Sequence, residues 1–123
     1  MISHVSIGVA DFGRSKRFYD AALGALGYRC VFEGGGYMAY GTDAPEFWVA
    51  QIEHVLGSQA GSGLHICFEA PNRAAVDAFH AAALAQGGAD NGAPGLRPDY
   101  SADYYAAFAV DPDGWRIEAY FGG

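Results

Sequence analysis

Apolar and polar positions alternate from the first residues of the chain. Val5, Ile7 and Val9 point one way and His4, Ser6 and Gly8 the other, which predicts a strand over 2–9. Asp11 can cap a following helix in which Phe18, Ala22, Leu23 and Leu26 recur at helical spacing, with Gly27 as its stop. Three more strands are expected at 28–32, 37–40 and 47–52, separated by Gly34-Gly35-Gly36 and Asp43-Ala44-Pro45. A glycine- and serine-containing linker covers 57–63, and then the pattern begins again. A strand over 64–69 sets Ile66 and Phe68 against His65, Cys67 and Glu69. Asn72 is the new cap, Val76, Phe79, Ala83 and Leu84 line the second helix, and Gly87-Gly88 ends it. A glycine- and proline-rich loop is expected over 90–98. The last hairpin, 104–110 and 115–121, turns through Asp111-Pro112-Asp113-Gly114, whose Pro and Gly suit a tight turn.

The two halves coincide at one shift. His4 maps onto His65 (65 − 4 = 61), and the same step takes Asp11 to Asn72, Phe18 to Phe79, Leu23 to Leu84 and Gly27 to Gly88. Apolar periodicity alone would not match the polar and glycine positions as well. The chain therefore reads as one α+β domain, 1–123, built from two βαβββ modules (1–56 and 64–123) with mixed, curved sheets around a concave cavity.

This repeat sets the candidate chemistry. His4 and His65 stand at equivalent places, each opposite the face that packs on a helix. Glu118 lies mid-strand in an otherwise apolar run, where an isolated carboxylate is costly unless paired, hydrogen-bonded or bound to a metal. Alone, it reads as the partner of Arg116 or as a rim residue. With two matched histidines, the set can hold a divalent cation facially and leave positions open. The ligand types suit Zn, Fe, Mn, Ni or Co. Strand parity places Trp48, Tyr104, Phe108 and Arg116 around that cavity, an aromatic wall with few polar groups that fits a small molecule. Arg116 would meet a substrate carboxylate or brace Glu118. Arg97 and Tyr100 belong to a loop near the mouth. His54 and His80 read as exposed and incidental.

Composition narrows the partners. A net charge of −7 over 123 residues argues against nucleic acid and anionic membranes, which call for basic surfaces. Cys30 and Cys67 are isolated in apolar segments, which suggests reduced core thiols in a cytoplasmic protein. The start of the chain enters a strand pattern at once, without the charge and apolar run of a targeting segment.

The His4-Val-Ser-Ile-Gly-Val strand, the Phe18-Tyr19 helix, the His65-Ile-Cys-Phe strand and Asp111-Pro-Asp-Gly with Ile117-Glu118 together resemble the vicinal oxygen chelate superfamily. That superfamily includes glyoxalase I, bleomycin-resistance proteins, fosfomycin-resistance enzymes and extradiol dioxygenases. The resemblance covers nearly the whole chain and implies paired βαβββ modules, a homodimer, and His4, His65 and Glu118 as ligands of a divalent metal. Glyoxalase I-like members have a further glutamate on the last strand of the first module. Aligning 47–50 with 115–118 puts Ala50 there, with Gln51 adjacent. Extradiol dioxygenases have a tyrosine where Phe108 stands and a histidine near 99–101, where none occurs. Bleomycin-type binders usually lack the ligands found here. The expectation is a metal-dependent lyase or isomerase of the glyoxalase type, with Glu118 as the catalytic carboxylate, acting on a small oxygen-bearing substrate. The alternatives are a non-catalytic drug-binding protein and an iron-dependent dioxygenase.

Overall fold

The computed structural model describes residues 1–58 and 62–123; the middle of the expected linker lies outside the described residues. The first module consists of β1 (Val5–Val9), α1 (Phe12–Gly24), β2 (Arg29–Gly34), β3 (Tyr37–Gly41) and β4 (Phe47–Gln51). The second consists of β5 (Ile66–Glu69), α2 (Arg73–Ala85), β6 (Ala89–Leu96), β7 (Tyr105–Val110) and β8 (Arg116–Phe121). Each module forms a four-stranded mixed sheet, in the orders β1-β4-β3-β2 and β5-β8-β7-β6. In both, the first strand runs parallel to the last and the remaining pairs are antiparallel. The doubled βαβββ architecture read from the repeat is the observed one.

Local chemistry accounts for the matching helices. Asp11 accepts a hydrogen bond from Arg14 N at 3.0 Å, and Asn72 accepts from Ala75 N at 2.8 Å, each satisfying a helix-start donor that has no partner within the helix. The helices have 13 residues each and start 61 positions apart, at Phe12 and Arg73. The glycine that follows each helix is offset by one position. The left-handed glycine is Gly27 (φ +92°) in the first module and Gly87 (φ +91°) in the second. Gly88 is required for a different reason: a Cβ there would sit 2.7 Å from the Phe18 ring and 2.8 Å from the Ala83 carbonyl.

The segment expected as a loop over 90–98 is instead mostly strand β6. Its pairing with β7 shifts register twice, between Asp90 and Gly92 and between Gly92 and Gly95. Those irregularities hide the alternation that marks a strand, and an edge position tolerates Pro94 and the glycines. The cysteines also differ from expectation. Both are free, but Cys30 is only half-buried at the edge of the core, and Cys67 is exposed on the face of β5 turned away from the helices.

A single core joins the modules. Ile7, Val9, Tyr40 and Val49 of one sheet and Ala107, Ala109, Ile117 and Ala119 of the other pack with Phe18, Tyr19, Leu23, Val76 and Phe79 from the helices. Phe47 meets Phe68 edge-on across the junction, with ring centroids 5.1 Å apart. The Asp111-Pro112-Asp113-Gly114 turn locks this arrangement. Gly114 takes φ +94° and donates its N–H to the Asp111 carbonyl at 3.0 Å, as the turn chemistry predicts. The two aspartates then reach back across the chain. The Tyr19 hydroxyl donates to Asp111 Oδ2 at 2.6 Å, while Asp113 accepts from Ala10 N, Arg14 and Ser15 at the start of α1. Burial, above all, raises both the Asp111 carboxyl and the Tyr19 phenol above their ordinary pKa values. Because the helix-side faces of both sheets are used in this common core, strand alternation turns the other two faces outward.

Candidate functional site

The outward face of the second module carries the polar cluster. Glu118 stands on β8 opposite Cys67 on β5 and Phe108 on β7. It is only 2% exposed. Its Oε1 lies 2.8 Å from His65 Nε2, and its Oε2 accepts from the Tyr104 hydroxyl at 2.6 Å. Among the described residues no arginine or lysine pairs with it. The two readings that the sequence offered for Glu118 alone therefore do not hold: it is neither a rim residue nor the partner of Arg116. Arg116 turns instead to Ser58, donating from Nε to the Ser58 carbonyl at 3.2 Å.

Aromatic rings enclose this cluster. Phe108 lies edge-on to His65 at 6.1 Å, and the Arg97 guanidinium sits 5.4 Å over the Phe108 ring. Arg97, one residue past the end of β6, also donates to the Gly95 and Ala93 carbonyls, which anchors its side chain along that strand. Tyr104 packs against Tyr120 at 4.2 Å and Tyr100 at 5.0 Å. Crowding by these neighbours and then the Glu118 carboxylate push the Cys67 thiol up to about 12, and the same two causes raise the Tyr104 phenol.

The outward face of the first module is different in kind. His4, Ser6, Phe32, Gly34, Tyr37, Trp48 and Ala50 line an open depression of about 380 Å³. Trp48 packs on Phe32 at 5.5 Å, and among the described residues the His4 ring bonds to its neighbour Ser3 alone, at 3.0 Å. Both histidines sit in the residue just before a first strand, as the repeat requires. The structure thus brings His65, Glu118, Tyr104, Phe108, Arg97 and Tyr100 together and places His4 and Trp48 on the other module. Among the described residues, no three His, Cys, Asp or Glu side chains of one chain are grouped to hold an ion.

The ladder corrects one alignment. Ser6, the counterpart of Cys67 (67 − 61 = 6), pairs with Trp48, just as Cys67 pairs with Glu118. The place matching Glu118 in the first module is therefore held by Trp48, not Ala50. Aligning the strands by their apolar ends slipped the register by two, which preserves the face and so leaves no signal in the alternation. Gln51 is engaged elsewhere: its Oε1 accepts from Phe12 N at 3.2 Å, at the start of α1. His80, expected to be exposed, is half-buried and lies 2.8 Å from Asp90. His54 is exposed.

The doubled βαβββ fold is what the comparisons with known proteins also find. Residues 1–119 match the Glyoxalase/Bleomycin resistance protein/Dioxygenase superfamily. The chain belongs to that superfamily. It is 37% identical to a glyoxalase/bleomycin resistance protein from Albidiferax ferrireducens T118, over 96% of this chain and 95% of that one, with a TM-score of 0.81. A glyoxalase/bleomycin resistance protein/dioxygenase family enzyme from Burkholderia phytofirmans PsJN shares the fold at 17% identity and a TM-score of 0.72, over 99% and 98% of the two chains. A V278E mutant of glyoxalase I from Zea mays matches at 22% identity and a TM-score of 0.71, over 97% of this chain and 45% of that one. No curated protein matches the chain. Among the described residues, no helix is long and apolar enough to cross a membrane.

Proposed function

We propose that this superfamily member is a divalent-metal-dependent lyase or isomerase of the glyoxalase type. Its site would form between two copies of the chain, with His65 and Glu118 of one copy meeting His4 of the other. The observation that carries the reading is the Glu118 carboxylate, 2% exposed, with no arginine or lysine paired to it among the described residues and with Oε1 2.8 Å from His65 Nε2. Such a carboxylate is costly unless a cation or hydrogen bonds compensate it. An imidazole nitrogen and a carboxylate oxygen are a donor pair that fits Zn, Fe, Mn, Ni or Co. The residues present therefore suit the ion that the superfamily implies. The two-copy arrangement follows from the shared core, which leaves the histidine-bearing faces turned outward. Exposed Phe32 and Tyr37 on one module, and Leu96 and Tyr100 on the other, are apolar surface that a second copy would cover.

When bound, the ion would polarise a substrate oxygen and stabilise enolate-like charge. Glu118 would serve as the carboxylate that exchanges the proton at the neighbouring carbon. Phe108, Tyr100 and Tyr104 of one copy and Trp48 of the other would wall the cavity and exclude water. Arg97 and Arg116 would orient polar groups of a small oxygen-bearing substrate.

Mixing two inactive variants tests this reading. His4→Ala and Glu118→Gln should each lose retained metal and turnover. A mixture refolded at equal amounts should regain about a quarter of the sites, because half of the dimers are mixed and one of the two sites in a mixed dimer is intact. Wild-type protein that retains no metal and takes none up would overturn the reading, as would a mixture showing no recovery.

A second reading has its own support. The depression of about 380 Å³ on the first module is aromatic and holds a single histidine, which suits a protein that binds a flat apolar compound without chemistry. Tight binding of such a compound by metal-free protein, unaffected by Glu118→Gln, would favour it.

A further inference from the structure

Glu118 offers two oxygens, and they are not equivalent. Oε1 faces His65 Nε2 at 2.8 Å, whereas Oε2 accepts the Tyr104 hydroxyl at 2.6 Å. The sequence placed Tyr104 among substrate contacts. In the fold its hydroxyl is spent on the carboxylate, and its ring packs against two others, Tyr120 at 4.2 Å and Tyr100 at 5.0 Å. Tyr120 lies on β8 two residues beyond Glu118, on the same face. The clamp on the phenol and the carboxylate it addresses therefore belong to one strand.

We infer that Tyr104 is a positioning residue that holds Oε2 and so presents Oε1 alone, beside His65, to a divalent cation. This rests on the metal reading above. The terminal torsion of a glutamate is broad and roughly two-fold, so an unbraced carboxylate can swing to offer either oxygen or both. A short hydrogen bond from a ring packed against two neighbours restricts that freedom. It also lowers the cost of keeping Glu118 buried while no ion is present. Partners of this kind, bonded to a ligand rather than to the metal, typically contribute 10–100-fold in metal affinity.

The test uses Co²⁺ as the probe, which reports affinity and ligand geometry by its visible absorption. Tyr104→Phe keeps the ring and its packing and removes only the hydroxyl. It should weaken Co²⁺ binding by roughly 10–100-fold and shift the absorption bands. Tyr120→Phe, whose hydroxyl does not meet Glu118, should do neither. In a Glu118→Gln background, Tyr104→Phe should change Co²⁺ binding no further. A residue that only supports the fold would alter the unfolding midpoint and leave the Co²⁺ spectrum unchanged. Equal affinity and spectrum for wild type and Tyr104→Phe would overturn the inference and leave the metal reading standing. No Co²⁺ uptake by wild type would overturn both. A measurement on the unmodified protein needs no variant to fold. Infrared difference spectra on adding Zn²⁺ should show the wide carboxylate splitting of coordination through one oxygen. The narrow splitting of a two-oxygen chelate would overturn the inference.

Discussion

The two modules have nearly the same backbone but present different chemistry on their outward faces. His4 and His65 occupy one position of the repeat, Ser6 and Cys67 another, and the helices behind them are of equal length. On the neighbouring strand the match ends. Glu118 of the second module corresponds to Trp48 of the first, and Phe108 corresponds to Ala39, which pairs with Trp48 as Phe108 pairs with Glu118. One face is thus a buried carboxylate held by an imidazole and a phenol; the other is an aromatic depression with a single imidazole at its edge. The contrast shows where a duplicated fold is free to change. Positions facing the common core must keep packing, so both modules bury the same kinds of side chain there. Outward positions carry no such demand, and the two copies have divided donor and wall between them.

The largest expected effect would come from erasing the difference at its centre. Glu118→Gln keeps the shape of the side chain and removes its charge. Retained metal, measured by elemental analysis, should fall by more than the roughly 10–100-fold that loss of a ligand's hydrogen-bond partner brings. The urea midpoint of the metal-free protein should hold or rise, since a buried charge is gone. Retained metal at the wild-type level would place the ion elsewhere.

A smaller effect is expected where the modules join. Tyr19→Phe removes the phenol that donates to the buried Asp111 carboxyl at 2.6 Å. Loss of a buried hydrogen bond to such a group should cost about 2 kcal/mol in urea unfolding. Metal uptake should be untouched, because the lock lies on the core side and the donors on the outer side. A change in uptake with little change in stability would contradict that separation.

The smallest effect concerns the pin between α2 and β6, where His80 meets Asp90 at 2.8 Å; the first module ties α1 to β2 with a different pair, Lys16 and Glu33 at 3.5 Å. The Gly92 N–H and then His80 hold the Asp90 carboxyl below its ordinary pKa of 3.8. A depressed carboxyl contributes stability above its unfolded pKa and loses it as pH falls through the folded one. Asp90→Asn should therefore lower the urea midpoint slightly at pH 7 and make no difference near pH 2. An equal difference at both pH values would mean that the pin does not act through this ionisation.

Much of this architecture was legible in the sequence because its causes are local. Caps at Asp11 and Asn72 satisfy donors three residues away, alternation reports a half-buried strand, and Gly114 reports a turn. The matched histidines and Glu118 were visible as well, because the repeat gave each polar residue a place. Strand β6 was missed where two register shifts broke the alternation. The Trp48 correspondence was missed because a slip of two residues keeps every side chain on its own face. Nothing local tied Tyr19 to Asp111, 92 residues apart, or Arg14 to Asp113, 99 apart.

The sequence alone determined the doubled fold, the superfamily and the polar residues that stand out from an apolar background. These depend on periods and neighbours within a few residues along the chain. Only the tertiary structure decided which of those residues meet. His65 and Glu118 share a face because β5 and β8 are laid side by side, and Tyr104 reaches the second carboxylate oxygen. His4 lies on the other module because both helix faces are consumed in one core. Such pairings follow from how surfaces are buried across the whole chain, and no window of sequence contains that sum.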